Sequence, residues 1–272
     1  MAWWRVARYT DPMRNMEDGP LSATHPEALF AGAPPWLVPD APLPAIRRIA
    51  VVAPHPDDFD VIAITLRRFQ RASARIAVAV LSSGSSGVED EFVSDPTPDA
   101  KRRLREDEQR ASCAFFGLPA EQLTFLRLAE EDGHLALTSQ NTDAIDAFLV
   151  RWQPGIVFLP HGNDSNRAHR RTHAMVVSAL ARQQSGAALM LNRDPKTIAM
   201  REDVYVLFAE DEAGWKRELL RHHASQQRRN LRTRGIGFDE RILAGNARIA
   251  SAAGRHGCFA EAFELRTAGG PS

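Results

Sequence analysis

Two short segments of this sequence concentrate imidazole and carboxylate side chains. Pro54-His55-Pro56-Asp57-Asp58 brings one imidazole and two carboxylates together within four residues. Pro160-His161-Gly162-Asn163-Asp164-Ser165-Asn166-Arg167-Ala168-His169 adds two histidines and a further aspartate, with His173 one helical turn on. Two imidazoles from different segments plus a carboxylate make a three-ligand site with an open position, the pattern of catalytic rather than structural zinc. If the chain turns into a helix after Pro54, His55 and Asp58 converge on one point. Asp57 then projects beside it as a base for water. The same aspartates would also serve as a helix N-cap, so the pentapeptide alone leaves capping and metal binding both open. His169 and His173 are four apart and share a helix face. For His173 the expectation is a packed or hydrogen-bonded histidine beside the site.

Both segments follow short apolar runs. Arg48–Ala53 and Ile76–Leu81 read as buried strands, as do Leu123–Leu126 and Ile156–Leu159. Between them lie helical patterns at Asp60–Arg71, Pro98–Phe116, Ser139–Trp152 and about 169–184, the second stopped by Gly117 and Pro119. A strand at Val204–Phe208, helices at Glu212–Arg229 and Phe238–Ala253, and a strand at Phe259–Leu265 complete the series. This alternation predicts an α/β fold, a Rossmann-like, mostly parallel sheet flanked by helices. In such a sheet ligands bind outside the carboxyl ends of the strands, where both segments fall. The chemical domain spans 46–268. Residues 1–45, rich in proline, form an irregular N-terminal extension, and 269–272 a tail.

Lys+Arg and Asp+Glu balance at 34 each, which argues against a protein built to hold nucleic acid. No apolar run approaches the ~18 residues of a membrane span, and the first twenty residues lack a signal-peptide core. Cys113 and Cys258 have neither disulfide-framework nor metal-site spacing, so buried thiols in a reducing compartment are expected. A cytoplasmic protein without a membrane span follows, its oligomeric state open.

The strand-His-Pro-Asp-Asp opening and the later Pro-His-x-x-Asp-x-Asn-x-x-His loop resemble the LmbE/PIG-L family of zinc-dependent N-acetylglucosaminyl deacetylases. Further segments agree in order: Arg105-x-x-Glu108 in a helix ending at Gly117, Asp132-Gly133, Lys216…His223-x-Ser225-Gln226, and Phe259-Ala-Glu-Ala-Phe263. The resemblance covers about 48–266 and implies an LmbE-like fold and Zn²⁺-dependent removal of an N-acetyl group from a small N-acetylglucosamine-containing glycan or glycoconjugate. It implies His55, Asp58 and His169 as metal ligands, Asp57 as general base, and Arg105 and Asp132 as substrate-binding residues.

Three departures stand out. Phe59 replaces an acidic residue that often buttresses the family site, with Asp60 a candidate substitute. Asn166 stands where some members have a histidine as oxyanion donor, which makes Asn166 a candidate with His161 and His173 as rivals. Ala168 replaces the usual aspartate before the last ligand, so an outer partner for His169 must come from elsewhere, with Asp164 a candidate. Trp3, Trp4 and Trp36 are expected to anchor the extension, Ser82–Gly87 to form a mobile substrate loop, and the arginines at 221, 228, 229, 232 and 234 to form a solvated face. Two other readings remain: a metal-dependent phosphoesterase, which normally needs ligands for two ions, and a non-catalytic metal- or sugar-binding descendant of the deacetylases.

Overall fold

Strands β2 (Arg48–Ala53), β3 (Arg75–Val80), β7 (Ile156–Pro160) and β8 (Ala188–Asn192) are buried along almost their whole length, because helices cover both faces of the sheet they share. A computed structural model describes residues 33–38, 46–131 and 134–267. The sheet also contains β1 (Trp36–Val38), β4 (Leu123–Phe125), β9 (Val204–Phe208) and β10 (Phe259–Thr267), in the order β1-β9-β10-β8-β7-β2-β3-β4. Only β10 runs against its neighbours, β8 and β9. A two-stranded hairpin of β5 (Glu130–Glu131) and β6 (His134–Leu135) stands apart.

Alternate residues of each strand feed two cores. Ile49, Val51 and Ala53 pack with α1 (Ala63–Arg71), α2 (Pro98–Phe116), α5 (Glu210–Arg221) and α7 (Phe238–Ala252). Ala50 and Val52 face α3 (Ser139–Trp152) and α4 (Arg167–Arg182) on the other side. The mostly parallel, helix-flanked sheet agrees with the sequence reading. Trp36 is buried in an edge strand that pairs in parallel with β9; Trp3 and Trp4 lie outside the described residues.

Among the elements that differ from expectation are β1, inside the extension read as irregular, and two that bear on the site. Ala188-Leu-Met-Leu-Asn192 forms a central strand without one β-branched residue, so its sequence carries little strand signal. The single helix expected over 212–229 is instead α5 followed by α6 (Ala224–Arg234). The break at His222-His223 turns the buried His223 ring onto Asp60, 2.9 Å away, and the Ser225 N–H onto Glu108.

The Lys216 ammonium is fully buried and donates to Glu261 Oε1 (2.6 Å), the Val61 carbonyl (2.6 Å) and Asn246 Oδ1 (3.0 Å). Glu261 in turn accepts from the Ile64 and Thr65 backbone N–H groups at the start of α1. The pair joins α5, α7, β10 and the start of α1. Lys216→Met leaves an uncompensated buried carboxylate and is expected to cost about 3 kcal/mol or more. A lower urea midpoint with an unchanged slope would record that loss.

Candidate active site

The carboxyl ends of β2, β3, β7 and β8 open into a cleft of about 440 Å³. After β2 the chain doubles back over His55–Asp58, and Asp58 Oδ2 accepts from both the His55 backbone N–H (2.9 Å) and the His55 ring Nδ1 (3.0 Å). From α4, the His169 Nε2 atom approaches Asp58 Oδ1 to 3.6 Å. One donor atom each from His55, Asp58 and His169 therefore lies within 4.8 Å of the others. The His169 ring is 1% exposed, and its Nε2 has no hydrogen-bond partner. A buried nitrogen lone pair without a proton donor beside a carboxylate and a second imidazole is what a divalent cation would satisfy, and two nitrogens with one oxygen suit zinc.

Outer contacts fix the His169 ring. His169 Nδ1 meets Asp164 Oδ2 at 3.1 Å and Asp194 Oδ2 at 3.2 Å. Their acceptance of its proton leaves Nε2 as the bare nitrogen. Burial alone would lower the His169 pKa, but Asp58, Asp164 and Asp194 outweigh it and raise it. Burial would raise the Asp58 carboxyl, yet His169, His55 and Lys196 hold it well below the usual carboxylate range.

Asp57 has a backbone φ of 105°, a region strained for a residue with a side chain. A side-chain brace holds it there. The Asp57 N–H donates to Gln109 Oε1 (2.8 Å), and Gln109 Nε2 donates to Asp60 Oδ2 (3.2 Å). Asp57 Oδ1 lies 3.2 Å from Arg105 Nη2, and Arg105 also donates to the Pro56 carbonyl and to Glu108. Arg105, Gln109 and Ser112 share one face of α2, each about one turn from the next. The strained carboxylate faces the cleft beside the His55, Asp58 and His169 cluster.

The model of the family PIG-L, described as GlcNAc-PI de-N-acetylase, matches residues 50–180, which contain both histidine segments. Over that stretch, just under half of the chain, the sequence matches the LmbE/PIG-L family. Among solved structures it resembles N,N'-diacetylchitobiose deacetylase from Pyrococcus horikoshii, at 17% identity over 82% of this chain and 85% of that one, with a TM-score of 0.68. It also resembles the zinc-inhibited form of teicoplanin deacetylase Orf2, at 13% identity over 81% and 98% of the two chains, with a TM-score of 0.62. GalB, the 4-carboxy-2-hydroxymuconate hydratase from Pseudomonas putida KT2440, is similar at 15% identity over 83% and 97%, with a TM-score of 0.64. At these identities the likeness establishes the fold, and the hydratase among them means that the fold alone does not fix the reaction. No curated protein matches the chain.

Against the LmbE/PIG-L pattern, each departure has a structural counterpart. Phe59 is buried edge-on to Phe116, ring centres 5.0 Å apart. Asp60 is fully buried and accepts from His223, Gln109 and Ser112, so a carboxylate buttress exists one residue later in the chain. Beside Ala168, Asp164 and a second acid, Asp194, both reach His169. Asp194 was not among the residues singled out from the sequence, because it follows the strand that the sequence hid.

The three rivals for the donor role occupy different places. Asn166 lines the cleft and caps α4, its Oδ1 accepting from the Ala168 N–H at 2.9 Å. His161 is buried with Nδ1 accepting from the Asn163 N–H (3.0 Å) and Nε2 3.3 Å from Glu264 in β10; it is not among the residues that line the cleft. His173 sits behind β7, with Nδ1 3.3 Å from the Pro160 carbonyl. Its ring packs so closely on Gly162 that a Cβ there would come within 2.7 Å. Arg105 lines the cleft; Asp132 lies outside the described residues. Cys113 is buried and Cys258 half-buried, neither in a disulfide.

Burial pushes the His173 pKa down to about 4. The unfolded chain therefore binds a proton that the native chain refuses between the ordinary histidine value and about pH 4. Stability is expected to fall as pH drops through that window, by up to about 1.4 kcal/mol per pH unit from this group. In His173→Gln the slope of unfolding free energy against pH should be shallower there, which denaturant titrations at several pH values would measure.

Proposed function

We propose that this chain is a zinc-dependent hydrolase that removes an N-acetyl group from an N-acetylglucosamine-containing glycan or glycoconjugate. The observation that carries the reading is the convergence of His55, Asp58 and the unpartnered Nε2 of His169, with the carboxylate of Asp57 beside them in an open cleft. Zinc held by these three residues would supply Lewis acidity toward the amide carbonyl and lower the pKa of water toward ~7. Asp57 takes a proton from the attacking water and passes one to the departing amine. Arg105, through its contact with Asp57 and the Pro56 carbonyl, holds that carboxylate in position. Asn166 keeps its Nδ2 donors for the oxygen that becomes negative as the carbonyl is attacked, because its Oδ1 is already engaged.

The phosphoesterase reading has less support. The second acidic group, Asp164, His169 and Asp194, shares His169 with the first, so the two sets are not independent sites for two ions. Among the described residues no helix is long and apolar enough to cross a membrane, and the substrate is taken as a small glycan or glycoconjugate.

The test is to incubate zinc-loaded protein with N-acetylglucosamine, its methyl glycoside and N,N'-diacetylchitobiose, and to measure free amine and acetate. Equal amounts of both are expected, abolished by a chelator and restored by zinc. Phosphate release from model esters without acetate release would favour the phosphoesterase. Stoichiometric zinc with no turnover of any acylated sugar would favour the non-catalytic descendant.

A further inference from the structure

The wall of the cleft away from the metal ligands is built by α6 and α7. Gln226, Arg229, Asn230, Thr233 and Arg234 line it from α6, on one face at three- and four-residue spacing, and Arg241 lines it from α7. The arginines here sort into two groups. Those pointing elsewhere are engaged: Arg221 with Asp239 at 2.7 Å, Arg232 with Glu89 at 2.5 Å, and Arg228 with the Glu91 carbonyl at 3.3 Å and the Phe92 ring. The three in the cleft have no carboxylate partner among the described residues. Arg241 is half-buried, and among the described residues its guanidinium donates to the neutral Asn230 Oδ1 at 3.4 Å. Arg229 lies against the loop after β3, where a Cβ at Gly87 would come within 3.1 Å of its Nη1.

These charges converge. Burial lowers the Arg241 pKa, and the like charges of Arg234 and Arg229 lower it further, while Asp194 and Asp57 act oppositely. Among the described residues, the acids of the cleft form no ion pair with these arginines. Asp57 is paired with Arg105, Asp58 with His55, and Asp194 with His169. Glu130, the remaining acid of the lining, stands on the β5–β6 hairpin and forms no ion pair with the three arginines. Arg241 is half-buried while Arg229 and Arg234 are exposed on the same wall, so three like charges lie open to an anion that would offset their repulsion. Planar forked guanidinium donors match phosphate oxygens, while the amides of Gln226 and Asn230 and the Thr233 hydroxyl between them donate to the Gly87, Gln226 and Arg229 carbonyls. The arginines expected to form a solvated face are all exposed, and two of them, Arg229 and Arg234, also line the cleft.

We propose that the substrate of this site is an amino sugar carrying a phosphate group, with the phosphate seated against Arg229, Arg234 and Arg241 while the N-acetyl group lies at His55, Asp58 and His169. The proposal rests on the deacetylase reading above. It makes the α6–α7 arginines specificity determinants, and it selects against neutral sugars of the same size.

The test compares zinc-loaded full-length protein on methyl N-acetylglucosaminide, N-acetylglucosamine 1-phosphate and N-acetylglucosamine 6-phosphate. One phosphorylated sugar is expected to exceed the neutral glycoside in kcat/KM by at least about tenfold, mostly through KM, as charge-assisted contacts would give. That ratio should shrink toward unity in Arg229→Gln, Arg234→Gln and Arg241→Gln, and in high salt. It should persist in Arg232→Gln, whose charge faces Glu89. Equal kcat/KM for phosphorylated and neutral sugars would overturn the phosphate seat and leave the deacetylase reading intact. If no acetylated sugar is hydrolysed, the deacetylase reading falls, and calorimetric titration of N-acetylglucosamine 1-phosphate decides the seat. Binding that Arg241→Gln abolishes supports the seat; no binding to the parent protein overturns it. Co-sedimentation with phosphatidylcholine vesicles containing phosphatidylinositol, lost in Arg241→Gln, without any preference among the soluble sugars, would assign the arginines to a membrane headgroup and overturn the proposal.

Discussion

Asp57→Asn is expected to lower kcat on an N-acetylated sugar by about a thousandfold or more, within the range that a positioned general base contributes, while metal per chain is unchanged. Asparagine keeps the size and backbone tolerance of aspartate, so the strained φ of 105° and the Asp57 N–H bond to Gln109 should both survive. The three proposed ligand side chains are other residues. What disappears is the ability to take a proton from water and the charge that faces Arg105 at 3.2 Å. Elemental analysis beside the rate measurement separates loss of the base from loss of the ion. A variant that kept its metal and more than about a tenth of its activity would remove Asp57 from the base role and turn attention to Asp194, another carboxylate of the cleft.

The parts of this molecule that were legible in the sequence are those whose physics is local. Strands such as Ile156–Pro160 are legible because burial on both faces demands continuous apolar residues. The histidine segments are legible because a metal site needs several donors close together. Tertiary partners were not. Gln109 braces the Asp57 backbone from a residue 52 positions away, and an amide in a charged helix carries no chemical signature. Asp194 is placed by β8, whose Ala-Leu-Met-Leu-Asn run offers no β-branched residue to mark it. The orientation of the α6 arginines was hidden by the assumption of one straight helix. Only the break at His222-His223, imposed by the reach of His223 to Asp60, decides which guanidiniums meet the cleft. His161 reads like a site residue because it sits in a histidine-rich loop. Its ring direction, toward Glu264 of the antiparallel β10, depends on a strand a hundred residues later in the chain.

His169→Gln is expected to empty the proposed zinc site. It removes the only donor contributed by α4 and leaves His55 and Asp58, which already bond to each other at 3.0 Å. Zinc affinity should fall by well over the roughly hundredfold lost when only an outer partner of a ligand is removed, and hydrolysis should fall with it. The outer partners give a sharper discrimination. Asp164 and Asp194 both approach the same nitrogen, at 3.1 and 3.2 Å, and one N–H cannot fully satisfy two carboxylates. Asp164→Asn or Asp194→Asn alone therefore leaves one acceptor to fix the tautomer, and each should weaken zinc by about tenfold, the low end for such partners. The double variant leaves no charged acceptor and should lose more than the product of the single effects. Chelator competition on all four proteins measures this directly. If the double variant merely multiplied the single losses, the two acids would be acting independently, and the shared hold on His169 Nδ1 would be the wrong account of why Ala168 is tolerated.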